Sequence, residues 1–280
     1  MRSSREGPGR RDGGERVERP SPRRRATVDY MRAAGRRSVV HGLVEADVTR
    51  ARERIRAIES ETGERPSFTA FVVHCVARAA AEHPSVNAYR DWRGRTHVFD
   101  AVDANVLVET TVGGDRLGVP HVLRDANRRS VRSLHEGIRA AQAARDPTDL
   151  SLAAAAALRL PGPIRRLVWR LPRWFPRRWT ALAGTVAVTS VGMFGPGGGW
   201  AIAPTNYTVQ ATVGGIAEKP RVVDGDVRTR ELLALTVTVD HDVVDGAPAA
   251  RFVDRVVELL EGADGLASWD DDPEAAGDGG

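Results

Sequence analysis

Residues 235–260 hold the side chains of this chain that are best placed to do chemistry. Apolar and polar residues alternate up to Asp240, which predicts a strand, and His241 follows at its tip. Asp245–Gly246 would then turn the chain into a helix over 247–260. A neutral imidazole held there in one tautomer can take a proton from a thiol or hydroxyl nucleophile. A single histidine is more often structural, so the role of base depends on further motifs.

Other groups give weaker signals. Cys75 is the only cysteine, so it can form neither an internal disulfide nor a cysteine zinc site. It lies in the apolar stretch 67–81, which predicts a buried helix capped by Ser67, and we interpret its thiol as a core group rather than a nucleophile. No spacing of histidines and carboxylates suggests a metal site. The glycines of 195–199 lack the lysine and hydroxyl residue of a phosphate-binding loop.

The segment 159–179 combines arginine with tryptophan and contains no acidic residue. Its arginines are Arg159, Arg165, Arg166, Arg170, Arg173, Arg177 and Arg178. Prolines divide it into pieces too short to span a bilayer. Two interpretations have equal weight: its tryptophans pack on the parent domain, or it docks on an anionic membrane surface or an acidic partner. Nucleic acid is a distant third.

Charge separates the two ends of the chain. Residues 1–22 are rich in arginine, glycine, proline and serine, which predicts a disordered basic arm, and we favour a solvated tail over a nucleic-acid contact. Residues 264–280 carry six acids and no base, which predicts a mobile acidic tail. The folded domain is predicted over 23–263.

The elements that must position these groups alternate irregularly between helix and strand. Helices are predicted over 48–58, 67–81, 130–144 and 247–260, and strands over 96–99, 104–109, 116–122, 184–191, 207–213 and 232–239. This order favours a mixed α/β sandwich with one large sheet. With 280 residues, 41% of them hydrophobic, the chain can bury a core, which excludes disorder throughout or a collagen-like design.

Several stretches follow the motif order of a known family. His241-x-x-x-Asp245-Gly246 is the HxxxDG pattern of CoA-dependent acyltransferases, and DHDVVDGAPAARF resembles the signature of the dihydrolipoamide acyltransferase components of 2-oxo acid dehydrogenase complexes. The other stretches similar to that family are Arg25 with Met31 and Val39–His41, Glu45–Thr49, Ala79–Asn87, Leu117–Pro120 and Gly184–Gly192. Together they extend from about residue 23 to residue 262.

The resemblance implies a chloramphenicol acetyltransferase-like two-layer α/β sandwich and a role for particular residues. His241 falls on the general base and Thr189 on the hydroxyl residue, usually serine, that stabilises the tetrahedral oxyanion. Asp245 falls on an aspartate that supports the site, with Arg25 as its candidate salt-bridge partner. The resemblance also implies a homotrimer or a larger trimer-based assembly, in which one subunit supplies the histidine and the next the hydroxyl. Coenzyme A is then a substrate, and no metal is needed.

Three features depart from the family. The only lysine, Lys219, has flanks unlike those of a lipoyl hairpin, so a lipoyl arm is expected on another chain, unless the thiol is free CoA. Asp242 stands where the family usually has arginine. The segment 159–179 is not part of the family pattern.

The sequence therefore predicts an acyltransferase that moves an acyl group between CoA and a dihydrolipoamide-type thiol. The alternative is a non-catalytic trimeric assembly module that docks to a membrane or a partner through 159–179. A third hypothesis keeps the enzyme but gives it an amine or hydroxyl acceptor. No run of eighteen apolar residues occurs, so we expect a cytoplasmic protein. On the docking interpretation, this segment would be its contact to a membrane surface.

Overall fold

The computed structural model describes residues 20–112, 115–143, 160–190 and 198–269. The helices in these ranges are α1 (Pro22–Ala34), α2 (Thr49–Thr62), α3 (Phe68–Glu82), α4 (Val131–Ala143), α5 (Gly162–Leu167), α6 (Leu171–Trp174), α7 (Pro176–Ala183) and α8 (Gly246–Glu261). The strands are β1 (Val39–Asp47), β2 (Ala88–Arg90), β3 (Thr96–Val98), β4 (Ala104–Val112), β5 (Asp115–Leu123), β6 (Val186–Ser190), β7 (Val209–Val223) and β8 (Asp226–Asp240). Most of the predicted basic arm, residues 1–19, lies outside the described residues.

Six strands form one large mixed sheet in the order β1-β8-β7-β6-β4-β5. The β1–β8, β7–β8 and β4–β5 pairs are antiparallel, whereas β6 runs parallel to both β4 and β7. Strands β2 and β3 form a separate antiparallel pair. The predicted single large mixed sheet is confirmed. The long β7–β8 hairpin extends well beyond the predicted strands. The sequence did not predict its tip as strand, because the tip is exposed and carries little apolar pattern.

The main hydrophobic core lies between one face of this sheet and α2, α3, α4 and α8. Alternate residues of β6, β7 and β8 enter it, because successive side chains of a strand point to opposite faces. Helix α3 is apolar around most of its circumference and lies at the centre of this layer, and the Ser67 side chain accepts a hydrogen bond from Ala70 N (3.3 Å) at its start. The arrangement is a two-layer sandwich of helices on a sheet.

The opposite face of β7 and β8 is polar but buried. Its side chains are Gln210, Thr212, Thr236, Thr238 and Asp240. The loop before β7 and helix α1 lie close to this face: Gln210 Nε2 donates to the Ala203 carbonyl (3.4 Å) and Asn206 Nδ2 to the Tyr30 carbonyl (3.3 Å). The Thr236 hydroxyl is buried with no hydrogen-bond partner among the described residues. Beside the core, the fold therefore has a second, polar interior.

Helix α1 was not predicted as a helix, although its start carries a recognisable signal. Ser21 is the N-cap residue and accepts a hydrogen bond from Arg24 N (3.2 Å), and Pro22 follows in the first turn. The many arginines around it dominate the composition and obscure that signal. The helix ends at Gly35, directly before β1.

The start of the predicted acidic tail is part of the core, so that prediction is wrong for residues 264–269. Leu266 and Trp269 are fully buried, and Asp264 lies 3.1 Å from His74 Nε2. The Trp269 ring packs edge-on against His135 of α4, with 5.6 Å between centroids. Burial of these two apolar side chains therefore orders the start of a window that carries six acids and no base. Residues 270–280 lie outside the described part of the chain.

The Arg/Trp segment, residues 159–179, forms short helices, each with a proline in its first turn. Trp179 is buried, donates from Nε1 to the Tyr89 hydroxyl (3.2 Å) and packs against Tyr207. Trp169 lies edge-on to Tyr30 of α1, at 5.1 Å between centroids. For these two tryptophans, packing on the parent domain is confirmed.

The outer side of the segment remains exposed to solvent. Large apolar side chains exposed there are Ile164, Leu167, Trp174 and Phe175, with Leu182 just beyond. No helix in the described ranges is long and apolar enough to cross a bilayer. Arg159 itself lies outside the described residues.

Candidate active site

His241 occupies the turn between β8 and α8. Its backbone N–H donates to the Ser38 carbonyl (2.7 Å), which ties the turn to the start of β1. The side chain is exposed, and among the described residues no group forms a hydrogen bond with its ring. Both ring nitrogens are therefore open to solvent or to a substrate proton.

Asp240 braces this turn from inside. Its buried carboxylate forms a salt bridge with Arg37 and accepts a hydrogen bond from Asp242 N (3.2 Å). The sheet register explains the pair, because Val39, two residues after Arg37, lies opposite Asp240 across the β1–β8 ladder. The sequence shows Asp240 beside the histidine, but the structure engages its carboxylate with Arg37 and not with the imidazole.

Thr189 lies near the end of β6 and is half-buried. Val186 and Val188 of the same strand enter the main core, so Thr189 points to the polar face of the sheet. Its register partner on β7 is Thr212, which in turn lies opposite Thr236 on β8. The hydroxyl of Thr189 thus continues a row of threonines.

Gly184 explains how β6 can begin where it does. It has φ +79°, and a Cβ at this position would lie 2.6 Å from the Asp103 carbonyl oxygen. The next residue, Thr185, donates its N–H to that same carbonyl (2.7 Å) and starts the alignment of β6 beside β4. Only glycine permits both the left-handed backbone and this close approach.

One chain does not bring His241 and Thr189 together. Thr189 is level with Thr236, so five residues along β8 and two strand spacings separate it from His241. These steps correspond to about 17 Å along the strand and about 10 Å across the sheet. A hydrogen bond spans only about 3 Å. A site that uses both side chains must take them from different subunits.

The predicted pair of Asp245 with Arg25 is not formed within the described chain. Asp245 is the N-cap residue of α8, but its side chain is exposed and makes no capping hydrogen bond. Arg25 lies near the start of α1 and is also exposed. Arg37, beyond the end of that helix, pairs with Asp240, and Arg90 of β2 donates to the Asp242 carbonyl (3.3 Å). The arginine next to β1 is favoured because the register places it beside β8.

A cavity of about 390 Å³ opens next to this turn, and the sequence analysis did not predict it. Asp240 and Asp242 form part of its wall, together with residues of α1, β2 and the Arg/Trp segment. Seven arginines and three aspartates line it. The sequence shows that arginine is abundant. It does not show that arginines from separate stretches of the chain converge on one cavity.

His74, His135 and Cys75 are buried in the interior of the domain, away from this turn. Burial raises the pKa of the Cys75 thiol well above its ordinary value, which agrees with a core group rather than a nucleophile. Burial lowers the pKa of His74 and of His135. Among the described residues no cluster of histidine, cysteine and carboxylate side chains could hold a metal ion.

Curated relatives are acyltransferases of dehydrogenase complexes. The lipoamide acyltransferase component of the branched-chain alpha-keto acid dehydrogenase complex of Bacillus subtilis is 26% identical over 227 residues, which are 79% of this chain and 46% of that protein. The dihydrolipoyllysine-residue succinyltransferase component of the 2-oxoglutarate dehydrogenase complex of Bartonella vinsonii is 29% identical over 205 residues, 72% of this chain and 42% of that protein. The chain thus spans about half the length of the curated relatives it matches.

Solved structures share the fold at low sequence identity. The cubic core of the pyruvate dehydrogenase multienzyme complex has a TM-score of 0.66 and 20% identity, covering 92% of this chain and 96% of that chain. The dihydrolipoamide acetyltransferase of Azotobacter vinelandii has a TM-score of 0.65 and 21% identity, with the same coverage. A chloramphenicol acetyltransferase has a TM-score of 0.50 and 15% identity, covering 84% and 94%. The predicted chloramphenicol acetyltransferase-like fold is confirmed.

The family model "2-oxoacid dehydrogenases acyltransferase (catalytic domain)" matches residues 12–152 and 181–267. The gap in the match contains the Arg/Trp segment, which agrees with its prediction as an insertion. The matched part includes the His241 turn, the Thr189 strand and the stretch up to Leu266. With well over half of its residues matched and with the fold of these catalytic cores, the chain belongs to the family of 2-oxoacid dehydrogenase acyltransferase catalytic domains.

Proposed function

We propose that this chain is a CoA-dependent acyltransferase that exchanges an acyl group between CoA and a thiol acceptor of the dihydrolipoamide type. The observation that carries the proposal is the geometry of His241. Its ring is exposed and free of described partners, while its backbone and the neighbouring Asp240 are held by β1 and Arg37. A fixed backbone with an available imidazole is what a general base requires.

The chemistry starts at the thiol. A thiol has an ordinary pKa of about 8.5, so at neutral pH it is mostly protonated and weakly nucleophilic. His241 takes the proton from sulfur as the sulfur attacks the thioester carbonyl, and the carbonyl electron pair moves onto oxygen. When the tetrahedral intermediate collapses, the C–S bond to the leaving thiolate breaks, and the imidazolium returns the proton to that sulfur. One thioester and one thiol enter, and one of each leaves.

Thr189 would donate its hydroxyl to the oxyanion. The Azotobacter vinelandii enzyme offers support, because the serine and histidine investigated there for their catalytic roles are 52 positions apart, and the histidine and asparagine are four apart. Thr189, His241 and Asp245 have the same separations. A donor of this kind contributes about a hundredfold to a thousandfold in kcat.

The assembly would be a homotrimer or a larger trimer-based particle. The separation of His241 and Thr189 within one chain supports a site shared between neighbours, and the similarity to a cubic core is consistent with such an assembly. A closed rotational arrangement lets every histidine meet the hydroxyl of the next subunit.

The acceptor arm would come from another chain that carries a lipoyl domain. Curated relatives are named for lipoamide or dihydrolipoyllysine, and the only lysine here, Lys219, pairs with Glu45 on the sheet. A salt-bridged lysine in a strand is a poor site for a mobile lipoyl arm. CoA would act as substrate.

Thiol release from a panel of acyl-CoAs, with dihydrolipoamide as acceptor, tests the enzyme. His241→Ala should lower kcat by about a hundredfold or more, as expected for the loss of a general base. His121→Ala serves as the matched control, since this half-buried histidine lies on β5 at the far edge of the sheet. Turnover that is absent in the wild type, or unchanged in His241→Ala, contradicts the proposal. Amine and hydroxyl acceptors in the same assay test the third hypothesis.

A non-catalytic docking module remains the second candidate, and the outer side of the Arg/Trp segment favours it. Exposed apolar side chains such as Trp174 and Phe175 lie there among arginines. This composition is typical of protein segments that bind anionic lipid surfaces. Cosedimentation with phosphatidylserine vesicles, compared with the Trp174→Ala/Phe175→Ala variant, measures this. Salt-sensitive vesicle binding by a protein without turnover would support the module over the enzyme.

A further inference from the structure

The arginine-lined cavity beside the His241 turn is built in part by residues from outside the family match. Three of its arginines, Arg166, Arg170 and Arg173, come from the Arg/Trp segment, which the family match skips. Arg32 and Arg36 come from α1 and the turn after it. Its volume of about 390 Å³ suits part of a small molecule rather than a macromolecular surface.

The positive charge of this cavity is largely uncompensated. Two of its three aspartates are already neutralised: Asp29 is buried in a pair with Arg165 (2.5 Å), and Asp240 pairs with Arg37. Only Asp242 is left to offset the remaining cavity arginines. In the described part of the chain, Arg32, Arg36 and Arg173 have no acidic partner. Guanidinium groups gathered without acids attract a ligand of high negative charge, and their planar forks match phosphate oxygens.

Indole rings complete the wall. Trp92, Trp169 and Trp174 line the cavity, and the first of these is 59% exposed. The backbone N–H of Trp92 donates to the Arg173 carbonyl (2.9 Å), which joins the turn after β2 to the Arg/Trp segment. Exposed indole faces cover apolar or planar groups of a ligand at a small entropic cost. The lining thus combines phosphate-binding groups with surfaces for an organic moiety.

We propose that this cavity is a subsite for the phosphorylated end of an acyl-transfer substrate, with the arginines holding phosphate and the tryptophans covering the adjoining organic part. The inference rests on the proposed acyltransferase function. Asp240 and Asp242, which flank His241, line the cavity, so the cavity reaches the turn that carries the base. Two sources share this chemistry: the nucleotide end of CoA, and a phosphorylated thiol acceptor of the phosphopantetheine type.

Calorimetric titration of the whole chain, without a bound acyl group, with three probes distinguishes the two sources of phosphate. The probes are adenosine 3′,5′-bisphosphate for the nucleotide end, 4′-phosphopantetheine for the acceptor, and pantetheine as the matched compound without phosphate. At least one phosphorylated probe should bind about tenfold or more tightly than pantetheine, and less tightly at high salt. Tight binding of the bisphosphate assigns the site to CoA, whereas binding of 4′-phosphopantetheine alone assigns it to the acceptor.

Arginine variants test whether the phosphorylated probe binds in the cavity. Arg36→Gln and Arg173→Gln should each weaken the phosphorylated probe about tenfold, as for loss of one charged hydrogen bond. Arg177→Gln is the control, because this exposed arginine belongs to the same segment but does not line the cavity. The proposal is overturned if neither phosphorylated probe binds better than pantetheine, or if the two cavity variants bind like wild type.

The same titration in His241→Ala separates this inference from the proposed function. The base does not line the cavity, so binding should persist in that variant. Probe binding that responds to Arg36→Gln in a protein without turnover would leave the phosphate subsite standing and contradict the acyltransferase. Turnover without such binding would support the acyltransferase and contradict the phosphate subsite.

Discussion

The carboxylate of Asp240 and the guanidinium of Arg37 show how one ion pair can hold a site in shape. The two residues lie 203 positions apart, and both side chains are largely withdrawn from solvent. A buried charge without a partner is costly, so each side chain depends on the other. Because Asp240 precedes His241 directly, this pair fixes the backbone from which the imidazole projects.

Removal of the guanidinium tests that dependence. Arg37→Met leaves the Asp240 carboxylate buried and unpaired, so the free energy of unfolding should fall by about 3 kcal/mol or more. Urea unfolding measures it. Arg54→Met is the matched control, because the Arg54–Glu61 pair is exposed and its loss should cost less than about 1 kcal/mol. Equal effects of the two variants would contradict a structural role for the buried pair.

His135 should make the stability of the protein depend on pH. Its Nδ1 accepts a hydrogen bond from Ser67 N (2.9 Å), so the proton of the neutral ring is on Nε2, 3.1 Å from a Glu64 oxygen. Burial lowers the pKa of His135 below its ordinary value of 6.5. The unfolded chain therefore binds a proton more readily than the folded one, and acid favours unfolding.

From this group, stability should be fully present above pH 6.5 and decrease as the pH falls below 6.5 towards the lower folded-state pKa. Urea unfolding at pH 7.5, 6.5 and 5.5 measures the decrease, which should be smaller in His135→Gln because an amide does not titrate. His74, whose pKa burial also lowers, contributes in the same direction. A variant with the wild-type pH dependence would show that His135 does not titrate on unfolding.

The Arg/Trp segment has two sides with different roles. Its inner tryptophans join a small aromatic cluster with Tyr89 and Tyr207, separate from the main core, and its outer side stays exposed. The sequence left packing on the domain and docking to a surface as alternatives. In the structure one side of the segment packs on the domain while the opposite side faces solvent, so the two roles are compatible. The segment also supplies a wall of the cavity beside the site.

Trp179 should account for most of the stability that the segment gives. Trp179→Ala removes a buried indole and its hydrogen bond to Tyr89, which should lower the free energy of unfolding by about 3–5 kcal/mol. Trp174→Ala, at an exposed position of the same segment, should change it by less than about 1 kcal/mol. Chemical denaturation followed by circular dichroism compares them, and similar losses would contradict the two-sided arrangement.

At the scale of the whole molecule, the sheet holds the two candidate catalytic groups apart. His241 follows the end of β8, while Thr189 lies on β6, two strands away and at a different height. Their distance within a chain is many times the reach of a proton or a hydrogen bond. The proposed activity therefore depends on assembly.

Mixing inactive subunits tests a shared site. His241→Ala and Thr189→Val should each keep about 1% of the activity or less when alone. A trimer assembled from both contains sites with an intact histidine from one chain and an intact hydroxyl from the next. Random assembly of equal amounts should restore about a quarter of wild-type activity. The measurement is thiol release after joint refolding, with each variant refolded alone as the control. No recovery, although mixed oligomers form, would contradict a site between subunits.

Much of the fold could be predicted from the sequence, because strong periodicity is a local property. The buried helix α3 and the strands β4 and β5 appear close to their predicted bounds. The misses have specific physical causes. Helix α1 is short of apolar residues, and Trp269 is a single large side chain in an acidic stretch, so composition alone predicted neither.

The sequence by itself determined the family and the candidate residues His241 and Thr189, because these depend on motifs a few residues long in a fixed order. Only the tertiary structure decided that Arg37, rather than Arg25, reaches the turn, and that arginines from α1, β2 and the Arg/Trp segment converge on one cavity. The reason is that such contacts join residues far apart in the chain. Their geometry is set by the order and register of the strands, which no local pattern encodes.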